Sequence, residues 1–289
     1  MTLPPHALEG PTFGPLVDIG VNLTDASFDA DLDAVIERAR SRGVVHQLVT
    51  GTDVEHAQRA AALAAHRPDV LSATAGVHPH HAGEVVDGWR EALAELADRS
   101  EVRALGETGL DFARDFSPRD AQESVFLAQV ELARRLELPL FLHERDTRGR
   151  LFDLLESLGG AFLGVLHCFT GSARDLERTL ALGLHVGITG WICDERRGQD
   201  LAGLVTRIPA DRLLLETDAP YLMPRTIRPR PRTRRNEPAL LPWVLARVAE
   251  CRGEPAELVA QRSTLNAQRL FGLPLAQEAA PESRPGEPS

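Results

Sequence analysis

Histidine and carboxylate side chains stand at the ends of several apolar runs in this chain. Two of the runs end on His143 and His167, and two others lead into Glu107 and Asp218. Polar groups are costly to bury unpaired, so four such endings predict that the side chains converge on a shared partner. Imidazole and carboxylate together suit a divalent metal ion. We therefore expect these four residues to bind a metal in a hydrolase.

A second group of polar residues lies near the same ends. His78, His80 and His81 follow the third apolar run. Alternate residues of an extended segment point to opposite sides, so His78 and His81 are not expected to act as His80 does. We expect His78 or His80 to contact phosphate or to act as an acid toward a leaving group, with plain loop polarity as the alternative. Asp111 and Arg145 are candidates for orienting a substrate, or else form an ordinary surface ion pair.

Eight apolar runs must position these side chains, and they alternate with segments of helical periodicity. The predicted strands are 16–21, 44–50, 70–77, 102–107, 139–143, 162–167, 184–190 and 212–217. Each run is too apolar for a sheet with one solvated face, which favours a closed parallel barrel. An open doubly wound sheet is the alternative, but it collects few strand ends at one point. The predicted fold class is α/β, a TIM (β/α)8 barrel.

The basic residues are concentrated after the last predicted strand. Every one of the 32 basic residues is arginine, and six of them lie between Arg225 and Arg235 in a chain of net charge −10. Guanidinium groups pair with phosphate bidentately, and loops at this end of a barrel commonly bind phosphate. We expect Arg225, Arg228 and Arg235 to hold a nucleic-acid backbone, with a solvated charged surface as the alternative. Without lysine, Schiff-base catalysis and a carbamylated lysine bridging two metals are excluded.

Composition sets the remaining bounds for the 289 residues. Segments 1–13 and 276–289 are proline-rich without a core pattern, so we expect disordered ends around one barrel domain, 14–275. There is no apolar stretch of membrane-spanning length and no signal peptide. The three cysteines are too scattered for a disulfide framework. These features predict a cytoplasmic protein, which we expect to be a monomer.

A series of motifs runs in order from about residue 16 to residue 273. They read DIGVNLT (18–24), GVHPH (76–80), GETGLD (106–111), LHERD (142–146), LHCFTG (166–171), GWICDERR (190–197), ETDAPYL (216–222) and RRNEP (234–238). With these motifs the chain resembles the TatD family of metal-dependent deoxyribonucleases. So many motifs in one order make the resemblance highly specific.

The resemblance implies a TIM barrel of the metal-dependent hydrolase superfamily. It also implies 3′→5′ exonuclease action on single-stranded DNA and RNA, a role in DNA repair, and a divalent metal, typically Mg²⁺, with Mn²⁺ and Zn²⁺ open. Glu107, His143 and His167 match the family's metal ligands, and Asp218 matches its strand-eight aspartate, which we expect to orient or deprotonate the nucleophile. Much of the family carries a His-x-His pair where this chain has Asn22 and its neighbours. One metal position is thus poorly supplied with ligands, and Asn22 becomes a candidate for substrate binding.

Two other functions stay open at this point. A small-molecule amidohydrolase would use the same ligands but has no need of six arginines at the barrel mouth. An inactive barrel that binds nucleic acid would keep the arginines but has no need of an intact ligand set. The few aromatic residues beside the motifs, Phe112, Trp191 and Tyr221, could stack on bases or pack in the core.

Overall fold

Eight parallel strands form one sheet in sequence order in the computed structural model, which describes residue 3 and residues 5–274. Hydrogen bonds from the Asp218 N–H to Gly20 O and from the Asn22 N–H to Ala219 O join the last strand to the first. The predicted TIM barrel is therefore confirmed. The strands are β1 Leu16–Val21, β2 Val44–Val49, β3 Leu71–Ala75, β4 Val102–Asp111, β5 Leu140–Arg145, β6 Gly164–Leu166, β7 His185–Ile188 and β8 Leu213–Leu215.

Helices cover the outside of the barrel. Their apolar residues recur at helical spacing and are buried, as Val35, Ile36 and Ala39 show for the second helix. The helices are α1 Pro5–Leu8, α2 Leu32–Ser41, α3 Val54–His66, α4 Trp89–Ala97, α5 Arg119–Leu136, α6 Arg150–Leu158, α7 Ala173–Ala181, α8 Gln199–Leu204, α9 Leu241–Arg252 and α10 Ala256–Phe271. No helix in the described part of the chain is long and apolar enough to cross a membrane.

The barrel has a separate apolar core inside its ring of strands. Inward-facing residues such as Ile19, Leu48 and Phe141 fill the interior and pack with Leu270 and Phe271 at the end of α10. These apolar layers block one end of the barrel. The polar side chains gather at the other end, where the strands have their carboxyl termini, which is where barrel enzymes place their sites.

The segment before β1 differs from the disordered extension that the sequence predicts. Pro5–Leu8 form a short helix in which Ala7 is buried, and the Trp243 indole N–H donates to Ala7 O at 3.0 Å. The Arg42 guanidinium also donates to Gly10 O at 2.6 Å. The apolar side chains of this segment thus find partners near α9, a contact that local composition does not reveal. The predicted tail 276–289 lies outside the described residues, and the domain limits 14–275 stay a prediction.

Candidate metal centre and active site

Glu107 stands at the centre of the polar cluster at the carboxyl ends of the strands. Its Oε1 lies 2.8 Å from His143 Nδ1, 2.7 Å from His167 Nε2 and 3.3 Å from His78 Nε2. Three consecutive strands, β4, β5 and β6, supply Glu107, His143 and His167, and the loop after β3 supplies His78. The structure thus brings together three of the four predicted ligands, and it adds His78 to them.

The arrangement fits a divalent metal ion. His78, Glu107 and His143 each offer one ligand atom, and these atoms lie within 4.8 Å of one another. The His143 Nε2 atom is buried without a hydrogen-bond partner, and the nearest carboxylate oxygen, Asp111 Oδ2, is 3.6 Å away. A buried nitrogen left unpaired costs free energy, which a bound cation would recover. Mixed imidazole and carboxylate donors suit several divalent ions.

Electrostatics keep the central carboxylate ionised. Burial raises the pKa of Glu107, but the positive charge of His167 and the hydrogen bonds from His143 and His167 outweigh burial and hold this pKa well below its usual value. Burial lowers the pKa of the His78 imidazole to about 4. An anionic carboxylate and a neutral imidazole are the forms in which these side chains bind metals.

Asp218 follows β8 and faces the same cavity as Glu107. It adopts a left-handed backbone conformation with φ 51°, and burial raises the pKa of its carboxyl to about 7. The Asn22 amide donates to Asp218 Oδ1 at 3.1 Å and to Ala219 O at 3.3 Å. Asn22, which we predicted to bind substrate, therefore orients Asp218. A carboxyl with a pKa near neutrality suits a general base.

Glu216 is a buried carboxylate to which sequence reasoning assigned no role. It accepts a hydrogen bond from the Cys168 N–H at 2.5 Å, and its Oε2 lies 3.4 Å from His167 Nδ1. A Cβ on Gly20 or Gly187 would lie 2.4 Å from a Glu216 oxygen, so these two glycines make room for the carboxylate inside the barrel. Glu216 thereby fixes the ring of His167. Glu216 lies two residues before Asp218, and side chains at this spacing in an extended segment point to the same side. This spacing could have predicted that Glu216 also belongs to the site.

Asp18 of β1 anchors the segment that carries Glu216 and Asp218. Its carboxylate accepts from the Thr217 N–H at 2.9 Å and from the Thr217 hydroxyl at 2.5 Å. All of these groups are buried, and burial raises the pKa of Asp18 to about 8. The contact ties the end of the last strand to the first strand, directly below the cavity.

Asp111 and His80 form a second pair on the wall of the cavity. Asp111 Oδ2 lies 2.7 Å from His80 Nε2, and Asp111 Oδ1 accepts from the N–H groups of Ala113 and Arg114 at 2.9 Å. Asp111 is only 1% exposed and holds the His80 ring, so we infer that it positions His80; its predicted role in orienting a substrate stays a prediction. The His80 and His78 rings pack edge to face at 4.2 Å.

The three arginines predicted in the loop after β8 do not line the catalytic cavity. The Arg235 guanidinium pairs with Asp31 at 2.7 Å and with the fully buried Glu237 at 2.7 Å, so these contacts favour a structural role over the predicted substrate contact. Arg225 lies 3.4 Å from a carboxylate oxygen of Asp194, and Arg228 lies 3.1 Å from one of Glu195. The sequence shows the charges of this loop but not the acids that lie opposite them.

Other arginines line the catalytic cavity, which has a volume of about 580 Å³. Arg145, as predicted, is among them, and Arg114 and Arg197 were missed. The Arg197 guanidinium lies 4.4 Å from the centre of the Trp191 ring, and Trp191 and Tyr221 also line the cavity. The cavity thus combines a carboxylate–histidine floor with basic and aromatic walls.

A metal-dependent hydrolase of the TIM-barrel type is the class that this fold and this centre define. The family model described as TatD related DNase matches residues 17–272, and the chain belongs to that family.

Relatives within the family extend over most of the chain. The 3′-5′ ssDNA/RNA exonuclease TatD of Erwinia tasmaniensis is 52% identical over 259 residues, which cover 89% of this chain and all of the relative. The protein of the same name from Pantoea vagans is 52% identical over 262 residues, 89% of this chain and all of that one. The crystal structure of a TatD homologue from Escherichia coli superposes with a TM-score of 0.80 at 32% identity, covering 90% of this chain and 98% of that one.

Proposed function

We propose that this protein is a 3′→5′ exonuclease that hydrolyses phosphodiester bonds of single-stranded DNA and RNA. The observation that carries the proposal is the Glu107 centre at the floor of an arginine-lined cavity, in a chain about half identical to exonucleases of that name. Hydrolysis of a phosphodiester needs both the Glu107 centre and the arginines, because the phosphorus centre must be polarised and the charge of the phosphate must be neutralised.

The metal we propose is Mg²⁺, held by His78, Glu107 and His143, while His167 keeps its contact with Glu107. A bound divalent cation lowers the pKa of water and neutralises charge on a phosphate. The carboxylate suits Mg²⁺ and Mn²⁺ and the two imidazoles suit Zn²⁺, so the ion is chosen by measuring activity with each of the three.

Two protons must move during hydrolysis, and separate groups of the chain are placed to move them. Asp218, oriented by Asn22, takes the proton of the attacking water, which its pKa of about 7 permits near neutral pH. His80, oriented by Asp111, gives a proton to the leaving 3′-oxygen. A carboxylate–histidine pair is suited to this step because the carboxylate fixes the ring and stabilises its protonated form.

Arg114 and Arg145 hold the phosphates of the terminal nucleotides in this proposal. Both line the catalytic cavity, and neither guanidinium makes a hydrogen bond or ion pair within the described part of the chain. An unpaired guanidinium is free to take a phosphate bidentately. Trp191 and Tyr221 offer ring faces to the bases, and stacking of this kind tolerates every base.

The setting we propose is a monomer in the cytoplasm that takes part in DNA repair or nucleic-acid turnover. The free cysteines Cys168, Cys193 and Cys251 are consistent with a reducing compartment. Sedimentation of the purified protein tests the oligomeric state.

The test uses single-stranded DNA and RNA labelled at the 3′ or the 5′ end, incubated with Mg²⁺ or with EDTA. Glu107→Gln is compared with the wild type, and Glu91→Gln, an exposed residue of α4, is the matched control. We expect metal-dependent shortening from the 3′ end that Glu107→Gln abolishes and Glu91→Gln leaves intact.

Two other outcomes have definite meanings. No cleavage with any metal, combined with hydrolysis of a small amide or lactone, would favour the amidohydrolase alternative. Strand binding without turnover of any substrate would favour the non-enzymatic barrel. Against both stands the combination of an intact centre with free arginines at its rim.

A further inference from the structure

A second cavity adjoins the catalytic one. It has a volume of about 1050 Å³ and lies between the loops that follow β5 and β6. Glu144, Arg145, Thr170 and Trp191 line both cavities, so the two form one continuous depression. Their combined volume is larger than a single terminal nucleotide requires, because a pocket for one small ligand measures about 300–1,000 Å³.

The lining of the second cavity carries four arginines and four acids, and two of the arginines have no ion-pair partner in the described part of the chain. Arg148 is exposed, and like Arg145 its guanidinium makes no hydrogen bond or ion pair in the described part of the chain. Glu123 pairs with Arg150 at 2.6 Å, whereas Glu144 accepts only from the uncharged Thr147 N–H and hydroxyl and keeps its charge. Asp146 and Asp175 also line the cavity without an ion-pair partner in the described part of the chain, so a strand here must place its phosphates on Arg145 and Arg148 and away from these acids.

Two aromatic rings flank the passage from one cavity to the other. Phe112 and Trp191 both line the second cavity. Each carries an arginine on one face, with Arg119 4.3 Å from the Phe112 centroid and Arg197 4.4 Å from the Trp191 centroid. Unpaired arginines beside aromatic rings are the side chains by which proteins hold single strands without reading their sequence.

We propose that the second cavity binds the single strand on the 5′ side of the scissile phosphate, with Arg148 on a backbone phosphate. The inference rests on the proposed exonuclease function, which puts the 3′ end in the catalytic cavity. The strand then leaves past Arg145 and Trp191, which are among the residues common to both cavities. The loop after β8 is the rival path, because its exposed Arg230 and Arg232 are also without partners, but they line neither cavity.

The test compares a dinucleotide with a dodecanucleotide as substrates for the full-length protein. Arg148→Ala is the main variant, the double variant Arg230→Ala/Arg232→Ala represents the rival path, and Arg59→Ala, an exposed residue of α3 outside both cavities, is the control. The ratio of the KM for the dinucleotide to the KM for the dodecanucleotide measures what the second cavity contributes to binding. We expect Arg148→Ala to lower this ratio about fivefold or more and to leave kcat for the dodecanucleotide within about twofold.

Binding measured in EDTA supplies a readout that is independent of catalysis. Fluorescence anisotropy of a 5′-labelled dodecathymidylate should show weaker binding to Arg148→Ala by a similar factor. The slope of log Kd against log salt concentration should fall by about 0.7, the value for one phosphate contact on a single strand. Equal melting temperatures for all variants would establish that each is folded.

The proposal fails if Arg148→Ala behaves as Arg59→Ala does in both measurements. It also fails if the double variant takes the whole loss of affinity, since the strand would then follow the loop after β8. If no protein cleaves either substrate, the exonuclease function fails, and the anisotropy series still decides whether a strand occupies the second cavity.

Discussion

Replacing Arg235 with alanine should destabilise the fold and leave the chemistry of the site intact. In the structure this guanidinium bridges Asp31 and Glu237, and Arg38 contacts the same two carboxylates at 3.1 and 2.8 Å. Asp31 precedes α2, whereas Glu237 follows the long loop after β8. The variant therefore removes a tie between distant parts of the chain and leaves Arg38 to neutralise both acids.

The size of the expected loss in unfolding free energy follows from the pKa shift of Asp31. Arg235 is the main cause that lowers the pKa of Asp31 from 3.8 to about 2. A shift of this size corresponds to roughly 2.5 kcal/mol, which partial exposure and the remaining Arg38 contact reduce to about 1–2 kcal/mol. The buried Glu237 loses a partner as well, so we expect a total loss of about 2–3 kcal/mol. In a chain of this size that is a fall in melting temperature of about 3–5 °C.

The pH dependence of this loss gives a second check. A carboxyl whose pKa is lowered in the folded state stabilises the protein above its unfolded pKa, and this stability disappears as the pH falls through the folded value. The difference between wild type and Arg235→Ala should thus be full at pH 7 and should shrink between about pH 4 and pH 2.

The assay is urea unfolding at several pH values, together with kcat/KM on single-stranded DNA at a temperature where both proteins are folded. Arg234→Ala, an exposed neighbour, is the control and should change neither quantity. A fall in kcat/KM of about tenfold or more with unchanged stability would refute the structural role of Arg235 and restore it as a substrate contact.

Three further outcomes test the site. Asn22→Ala should lower kcat about tenfold with little change in KM, because Asp218 loses the hydrogen bond that orients it; steady-state kinetics on a short oligonucleotide measures this. Gly187→Ala should cost about 2 kcal/mol or more in urea unfolding, because its Cβ would lie 2.4 Å from Glu216 Oε1, and an unchanged midpoint would contradict the packing argument. Mg²⁺ at about 100 times its Kd should raise the unfolding free energy of the wild type by about 2.7 kcal/mol, and a similar rise in Glu107→Gln would mean that the ion binds elsewhere.

The barrel was predictable because its strands are buried on both faces. A strand such as β5 reads as an unbroken apolar run that stops where His143 faces the cavity. Because helices alternate with these runs, the pattern favours a closed parallel barrel with the helices outside. The carboxyl ends of all the strands then meet at one mouth of the barrel. Glu107, His143 and His167 could be placed together by this reasoning alone, before any distance was known.

Partners across the chain were not predictable. Arg235 and Asp31 are 204 residues apart, and nothing local shows that the two will meet. The same holds for Asn22, which lies 196 residues before the Asp218 carboxylate that it orients. Residue type predicted that these side chains are polar and near the mouth, but only the closure of β1 against β8 determines which of them bind one another.

An acidic chain can bind a polyanion when its free charges are unevenly placed. The net charge of −10 is the sum over the whole sequence, but a strand end meets only the cavity walls. About half of the arginines in the described part of the chain are paired with acids, as in the Arg178 pairs with Asp153 and Glu156 at 2.6 and 2.7 Å. Arg145 and Arg148 are among those left without an acid, and they lie where the catalytic cavity opens into the second one. These two guanidinium groups can therefore contact a phosphate backbone although the sum of charges over the whole chain is negative.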